Sequence, residues 1–245
     1  MNELEKALLE LERKKKPVVP IRQLQSGKEA YVWLVEANKT NELFALKVYR
    51  DLEMRSFRTQ RHYLEDRYVG AQDKIRRAIK TGNKIGRAFI QHTWVMREHY
   101  FLKKLASQTE YLPKLIVPLE NGALLEYFGT QEQAAPRLSD VSLPKSLHQQ
   151  LIELLLLQIE LYLANGIVHG DFSAFNILWW EGRPIVIDFP QAIDVRESKR
   201  VPTLLKRDIR NMFSYFRIRD ESMVEQIANE LLESYSLPTM EYTLL

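Results

Sequence analysis

One segment constrains this chain more than any other: residues 167–189, IVHGDFSAFNILWWEGRPIVIDF. Three polar residues stand out in it. Asp171 and Asn176 are five apart in a loop that follows a long apolar helix, and Asp188 ends the strand-like run Ile185, Val186, Ile187. A carboxylate at the end of a buried strand is costly to desolvate unless a cation pairs with it. Mg2+ takes hard oxygen ligands, and the Asn176 carbonyl with the Asp188 carboxylate supplies them beside phosphates. That leaves Asp171 to orient or deprotonate a nucleophile. An Asp, four residues, an Asn, a β-hairpin and then Asp-Phe is the order of parts in phosphoryl-transfer sites of the kinase kind.

A lysine far upstream fits the same chemistry. In the β-like run LFALKVY, side chains alternate between faces. Ala45 and Lys47 share one face, and Phe44, Leu46 and Val48 share the other. A small residue beside a lysine suits an adenine ceiling with a phosphate-binding ammonium next to it. Such a lysine needs an acidic partner, and Glu98 in the helical stretch 93–105 is the candidate. The loop at 25–30 has one glycine, Gly27, flanked by Ser26 and Lys28. Their hydroxyl and ammonium are suited to capping phosphates.

The rest of the chain reads as strands first and helices later, which is an α+β pattern with two lobes dividing near Gly129. Residues 3–16 read as a helix, with Leu4, Leu8 and Leu11 on one side. Strands are expected at 30–36 and 43–49, and a further hairpin at 117–119 and 123–128. Helical periodicity begins again at Thr93. Residues 147–164 are apolar nearly all round and read as a buried helix, stopped by Asn165-Gly166. Short strands at 177–180 and 185–187 flank WEGRP. From Thr203 on the chain is helical and amphipathic, with Leu204, Leu205, Ile209, Met212 and Phe213 facing inward.

Composition narrows the function classes. With 35 basic and 32 acidic residues the net charge is +3, too balanced for a general nucleic-acid coat. The charge is uneven, however. Residues 50–87 hold eleven basic residues against five acidic, a net +6 that leaves −3 for everything else. This segment reads either as a solvated loop with a short helix or as a mobile arm that touches something polyanionic. The absence of cysteine excludes a disulfide framework, thiolate metal sites and a cysteine nucleophile. The apolar stretch 151–163 carries Glu153, Gln158 and Glu160, so no membrane span is expected there. The first sixteen residues interleave acids and bases without an apolar core, unlike a signal peptide. A cytoplasmic globular protein is expected.

Taken together, SGKEAYVW, FALKVYR, the basic insert with RYVG, WVMRE, LLEYFG, HGDFSAFN and VIDFPQA resemble the RIO family of atypical protein kinases and ATPases. The likeness runs from about residue 20 to 215. It implies a trimmed, two-lobed protein-kinase-like fold: a helix and basic linker at 1–19, a β-rich N-lobe at 20–128 with a flexible insert at 50–87, and a mainly helical C-lobe at 129–245. It implies Mg-ATP-dependent phosphoryl transfer, as a serine/threonine kinase, an ATPase or both, with Mn2+ as an alternative metal. Lys47 would bind ATP phosphates, and the backbone at Glu126 and Phe128 would read adenine. Asp171 would be the catalytic aspartate, and Asn176 and Asp188 the metal ligands, with Asp188 also the site of an aspartyl phosphate. The resemblance places autophosphorylation in the insert, where Ser56, Thr59 and Thr81 are the Ser/Thr hydroxyls, while the charge from Arg50 to Arg87 makes RNA or a ribosomal particle a candidate partner. Two departures are visible: HGD stands where ordinary kinases have HRD, and DFP where they have DFG. There are three rivals. One is a small-molecule phosphotransferase of the aminoglycoside or choline kinase type. Another is a compact single-domain kinase of the tRNA-modification assembly, similar in size but without a strong claim on SGKEA and the RYVG insert. The last is a nucleotide-gated ribonucleoprotein assembly factor.

Overall fold

The computed structural model describes residues 1–27, 29–50, 73–196 and 198–235. The chain forms two compact units. The first takes in the described residues of Met1–Lys103 and Pro113–Ala134, and the second those of Lys104–Leu112 and from Ala135 onward. The first is β-rich and the second mainly helical, the α+β architecture expected from sequence.

The first unit opens with α1, Glu3–Arg13. Asn2 caps it reciprocally: its side chain accepts the Glu5 N–H at 2.8 Å, and the Glu5 carboxylate accepts the Asn2 N–H at 2.9 Å. The helix is shorter than expected, because Lys15 adopts a left-handed φ of 59° ahead of Pro17. Five antiparallel strands follow: β1 Val18–Ser26, β2 Ala30–Ala37, β3 Leu43–Tyr49, β4 Leu115–Leu119 and β5 Gly122–Glu126, in the order β1-β2-β3-β5-β4. The sequence pattern does not reveal β1. It is an edge strand with Pro20 inside it and two register irregularities, so its alternation is weak and its residues largely exposed. Between β3 and β4 lie α2, Asp73–Thr81, and α3, Lys84–Leu105.

Side-chain alternation along β3 builds two cores. Phe44, Leu46 and Val48 pack with Ala7 and Leu11 of α1 and with Leu124. Tyr49, on the opposite face, packs with Ile79 of α2 and Ile90, Trp94 and Val95 of α3. Full burial of a side chain such as Leu46 contributes about 1.5–3 kcal/mol.

Part of the segment read as a mobile arm is therefore helical: residues 73–81 form α2, and α3 begins at Lys84 rather than near Thr93. Two glycines shape this helical part of the segment. Gly82, at φ 64°, breaks the chain between the helices. Gly86 lies inside α3, where a Cβ would collide with the Ala78 carbonyl of α2. One glycine ends a helix and the other lets two helices touch. Residues 51–72 of the arm, including Arg55, Ser56, Arg58, Thr59 and Arg61, lie outside the described residues.

In the second unit, α4 spans His148–Ala164 and buries Leu151, Leu155, Ile159, Tyr162 and Leu163. It is not buried all round, since Leu157 is 57% exposed. Asn165 caps it and Gly166, at φ 72°, stops it. Then come β6 Ile167–Val168, a 3-10 turn at Ala174–Asn176, β7 Ile177–Trp180, β8 Arg183–Val186 and β9 Ile193–Asp194. β6 pairs with β9, and β7 with β8. The β7–β8 turn uses two left-handed residues, Glu181 and Gly182, whose twist matches the strands. Arg183 and Pro184 are thus strand residues rather than loop, and β8 ends one residue before Ile187. The chain continues as α5 Val201–Tyr215, with the expected inner face buried, and α6 Glu221–Ser234. Among the described residues no helix is long and apolar enough to cross a membrane.

Candidate active site

In the first unit, β3 presents Lys47 toward α3. Lys47 is 8% exposed and Glu98 2%. The Lys47 Nζ lies 2.5 Å from Glu98 Oε1, and the Tyr49 hydroxyl donates to Glu98 Oε2 at 2.8 Å. The expected partner of Lys47 is therefore in contact with it. A buried ion pair repays desolvation only with good geometry and further hydrogen bonds, and losing one partner strands a charge at a cost of about 3–5 kcal/mol.

The other cofactor candidates are placed as follows. The Ser26 hydroxyl accepts from Arg50 Nη2 at 2.6 Å, and the Arg50 guanidinium stacks on Tyr31 at 3.8 Å from the ring centroid. Arg50, at the foot of the basic segment, is thus part of the phosphate-loop candidate. Lys28 lies outside the described residues. At the end of β5, the Glu126 N–H donates to the Lys114 carbonyl at 2.9 Å, and its carboxylate accepts the Lys114 N–H at 3.2 Å. Phe128 is buried just before Gly129, whose φ is 141°.

In the second unit, the loop after β6 carries Asp171. The Asn176 side chain donates to Asp171 Oδ2 at 2.8 Å and to the Asp171 carbonyl at 2.9 Å. Burial raises the Asp171 carboxyl above its ordinary range, the Asn176 hydrogen bond opposes this, and the nearby charge of Asp188 raises it further. Asp188 stands two residues past β8 rather than at the strand's end, in a left-handed conformation with φ 71°. That conformation, rare for a non-glycine residue, is incompatible with continued strand.

The loop is braced from behind by Asp208, which no motif singled out, and by neighbours of Asp171 and Asp188 within the motifs. Asp208 on α5 accepts the Gly170 N–H at 2.7 Å and the Phe172 N–H at 3.0 Å. Burial pushes its carboxyl up to about 7, against the pull of those two N–H groups. Its sequence signal was an acid on the inward stripe between Leu204 and Met212, both buried. His169 accepts the Asp171 N–H through Nδ1 at 3.3 Å, so its Nε2–H faces the Ile187 carbonyl at 3.2 Å. Its ring packs on Phe172 and Phe189, which in turn pack on Tyr162. Gly170 explains HGD in place of HRD: its φ is 78°, and a Cβ would lie 2.6 Å from the Gln191 carbonyl oxygen.

These residues suit a divalent cation. Asn176 spends its NH2 on Asp171, which leaves the amide carbonyl oxygen as the atom it could offer a cation, and Asp171 and Asp188 are close enough to repel. Both donors are hard oxygens, as Mg2+ prefers.

Comparison with known proteins gives these sites a family. The sequence model of the RIO domain matches residues 31–228. The chain is 30% identical over 196 residues to the RIO-type serine/threonine-protein kinase Rio1 of Haloferax volcanii, covering 79% of this chain and 62% of that protein. To Rio1 of Methanocaldococcus jannaschii it is 31% identical over 195 residues, covering 79% and 61%. The chain thus spans about three fifths of the length of these curated relatives. Its fold is shared with the Rio2 kinase–ADP/Mg2+–phosphoaspartate complex from Chaetomium thermophilum, with a TM-score of 0.63 at 18% identity over 95% of this chain and 71% of that one. With the RIO domain matched across residues 31–228, the chain belongs to the RIO family.

Proposed function

We propose that this chain catalyses Mg-ATP-dependent phosphoryl transfer as a RIO-type serine/threonine kinase, an ATPase or both. The observation that carries the reading is the buried Lys47–Glu98 pair in a chain whose Asp171, Asn176 and Asp188 form the second set of groups this chemistry needs. Membership of a family that includes named serine/threonine kinases supports it.

Each residue then has a distinct task. Lys47, oriented by Glu98, takes ATP phosphate oxygens, and Ser26 and Lys28 cap them. The backbone at Glu126 and Phe128 reads adenine. Asn176 and Asp188 hold Mg2+, which when bound neutralises phosphate charge. Asp171 accepts the proton of an acceptor hydroxyl as its oxygen bonds to the γ-phosphorus; the bond from that phosphorus to the β,γ-bridging oxygen breaks and ADP leaves. In the ATPase variant of the reaction, an Asp188 carboxylate oxygen is the nucleophile. Water then cleaves the acyl phosphate, releasing phosphate and restoring the carboxylate. The basic segment 50–87 fits RNA or a ribosomal particle, and the cytoplasm is the matching compartment.

Calorimetric titration with ATP in the presence and absence of Mg2+ tests the nucleotide reading. Binding strengthened by Mg2+ in wild type and insensitive to it in Asp188→Asn is expected. Equal binding with and without Mg2+ in both proteins would contradict it.

A further inference from the structure

We infer that Tyr49 is a positioning residue for the phosphoryl-transfer site: its hydroxyl fixes the Glu98 carboxylate and thereby holds the Lys47 ammonium in its working place. The inference rests on the reading of Lys47 as the phosphate-binding lysine.

The geometry is a division of labour on one carboxylate. Glu98 Oε1 faces the Lys47 ammonium and Oε2 takes the Tyr49 O–H. Rotation of the carboxylate about its last side-chain bond would break both contacts. Tyr49 follows Lys47 by two residues on β3, so both project from the same side of the strand. The Lys47 Nζ also lies 5.1 Å from the centroid of the Tyr49 ring, within cation–π range.

Tyr49 is itself held at three levels. Its ring is 1% exposed and packs among Ala30, Ile79, Ile90, Trp94 and Val95. Its N–H donates to the Asn121 carbonyl at 3.0 Å, and its own carbonyl accepts the Asn121 side-chain NH2 at 2.9 Å. On the facing helix, the residue next to Glu98 is anchored to the same sheet. His99 Nε2 lies 2.7 Å from the Gly122 carbonyl, and burial lowers the imidazole toward its neutral form, in which Nε2–H donates. Gly122 is a glycine for a reason: a Cβ there would collide with the Lys47 carbonyl oxygen. The phase of α3 and the reach of Tyr49 are thus both fixed relative to β3.

A phenylalanine would fill the same packing site and lose only the hydroxyl. That separates positioning from packing. Steady-state ATP turnover is measured for wild type, Tyr49→Phe, Glu98→Gln, the double variant and Lys47→Ala, with thermal melts alongside. In Tyr49→Phe, kcat/KM is expected to fall about 10-fold, mostly in kcat, since a hydrogen bond to a charged group is lost and the ammonium is misplaced chiefly in the transition state. The same change made in Glu98→Gln should cost less than about 2-fold, because the carboxylate it acts through is gone. Wild-type turnover in Tyr49→Phe, or effects that add in the double variant, would overturn the inference. So would loss of cooperative melting in Tyr49→Phe, which would make the hydroxyl a structural group. Lys47→Ala keeps the two levels apart: turnover retained there sinks the reading of Lys47, whereas turnover lost there with a normal Tyr49→Phe sinks only the role of Tyr49.

Discussion

Asp208 and Gly170 are joined by a hydrogen bond of 2.7 Å across 38 residues of sequence, and through it α5 carries the loop that presents Asp171. The second oxygen of Asp208 takes the Phe172 N–H, so the two backbone amides flanking Asp171 are held by one buried carboxylate. Asp208→Ala leaves both amides without their acceptor. Stability should drop by about 2–4 kcal/mol, from two unmet buried donors. Chemical denaturation of the variant against wild type checks this.

The same carboxyl sets a pH dependence. Its folded value of about 7 exceeds the ordinary 3.8, so the folded state binds the extra proton. Its contribution to stability is complete below about pH 4 and is lost as pH rises through about 7. His99 works in the opposite sense, since its lowered value makes the contribution present at high pH and lost as pH falls. Comparing wild type with Asp208→Asn isolates the first effect. Between pH 5 and 8, wild type should lose about 2–3 kcal/mol more than the variant, at about 1.4 kcal/mol per pH unit.

Gly170→Arg would restore the tripeptide of ordinary kinases and should be tolerated poorly. A side chain at φ 78° costs about 1–2 kcal/mol, before its Cβ meets the Gln191 carbonyl. Even Gly170→Ala should lower the melting temperature by several degrees. Differential scanning calorimetry measures it directly.

Asp171 and Asp188 should fail in different ways. Asp171→Asn is expected to keep Mg-ATP binding while losing about 10²–10⁴ in rate, the range for a general acid–base group. Asp188→Asn should lose the Mg2+ dependence of binding and any hydroxylamine-labile phosphoenzyme. Equal loss of Mg-ATP affinity in both variants, measured by calorimetry, would refute the division of roles.

If the basic segment meets RNA, affinity should fall steeply with salt through counterion release. Replacing Arg55, Arg58 and Arg61 by Gln should shrink the log–log salt slope by about 2–3, since each phosphate left unneutralised removes close to one unit. Phosphopeptide mapping after incubation with Mg-ATP should find Ser56 or Thr59 modified. The Thr81 hydroxyl is already turned back onto the Arg77 and Ala78 carbonyls at the end of α2.

Much of this was legible because local pattern and tertiary role coincide. β3 is legible at 43–49 as a run of β-forming residues, and the need of a strand lysine for an acid points to Glu98, 51 residues away. Legibility failed where a residue's meaning comes from a neighbour distant in sequence. β1 has weak alternation because it lies on a sheet edge, the place where a strand tolerates a residue such as Pro20. Gly86 looks like a loop residue until Ala78 is seen against it. Asp208 belongs to no motif, and only its contacts with Gly170 and Phe172 explain an acid on a buried stripe.

The fate of the γ-phosphate tests the central claim most directly. Wild-type protein is incubated with Mg2+ and γ-labelled ATP, and label is traced to protein, small molecules and free phosphate. The account predicts label on protein Ser/Thr, on Asp188 as a hydroxylamine-labile phosphate, or in free phosphate, and no transfer in Lys47→Ala. Label that stays in ATP, or that passes to an aminoglycoside or choline acceptor, would contradict it.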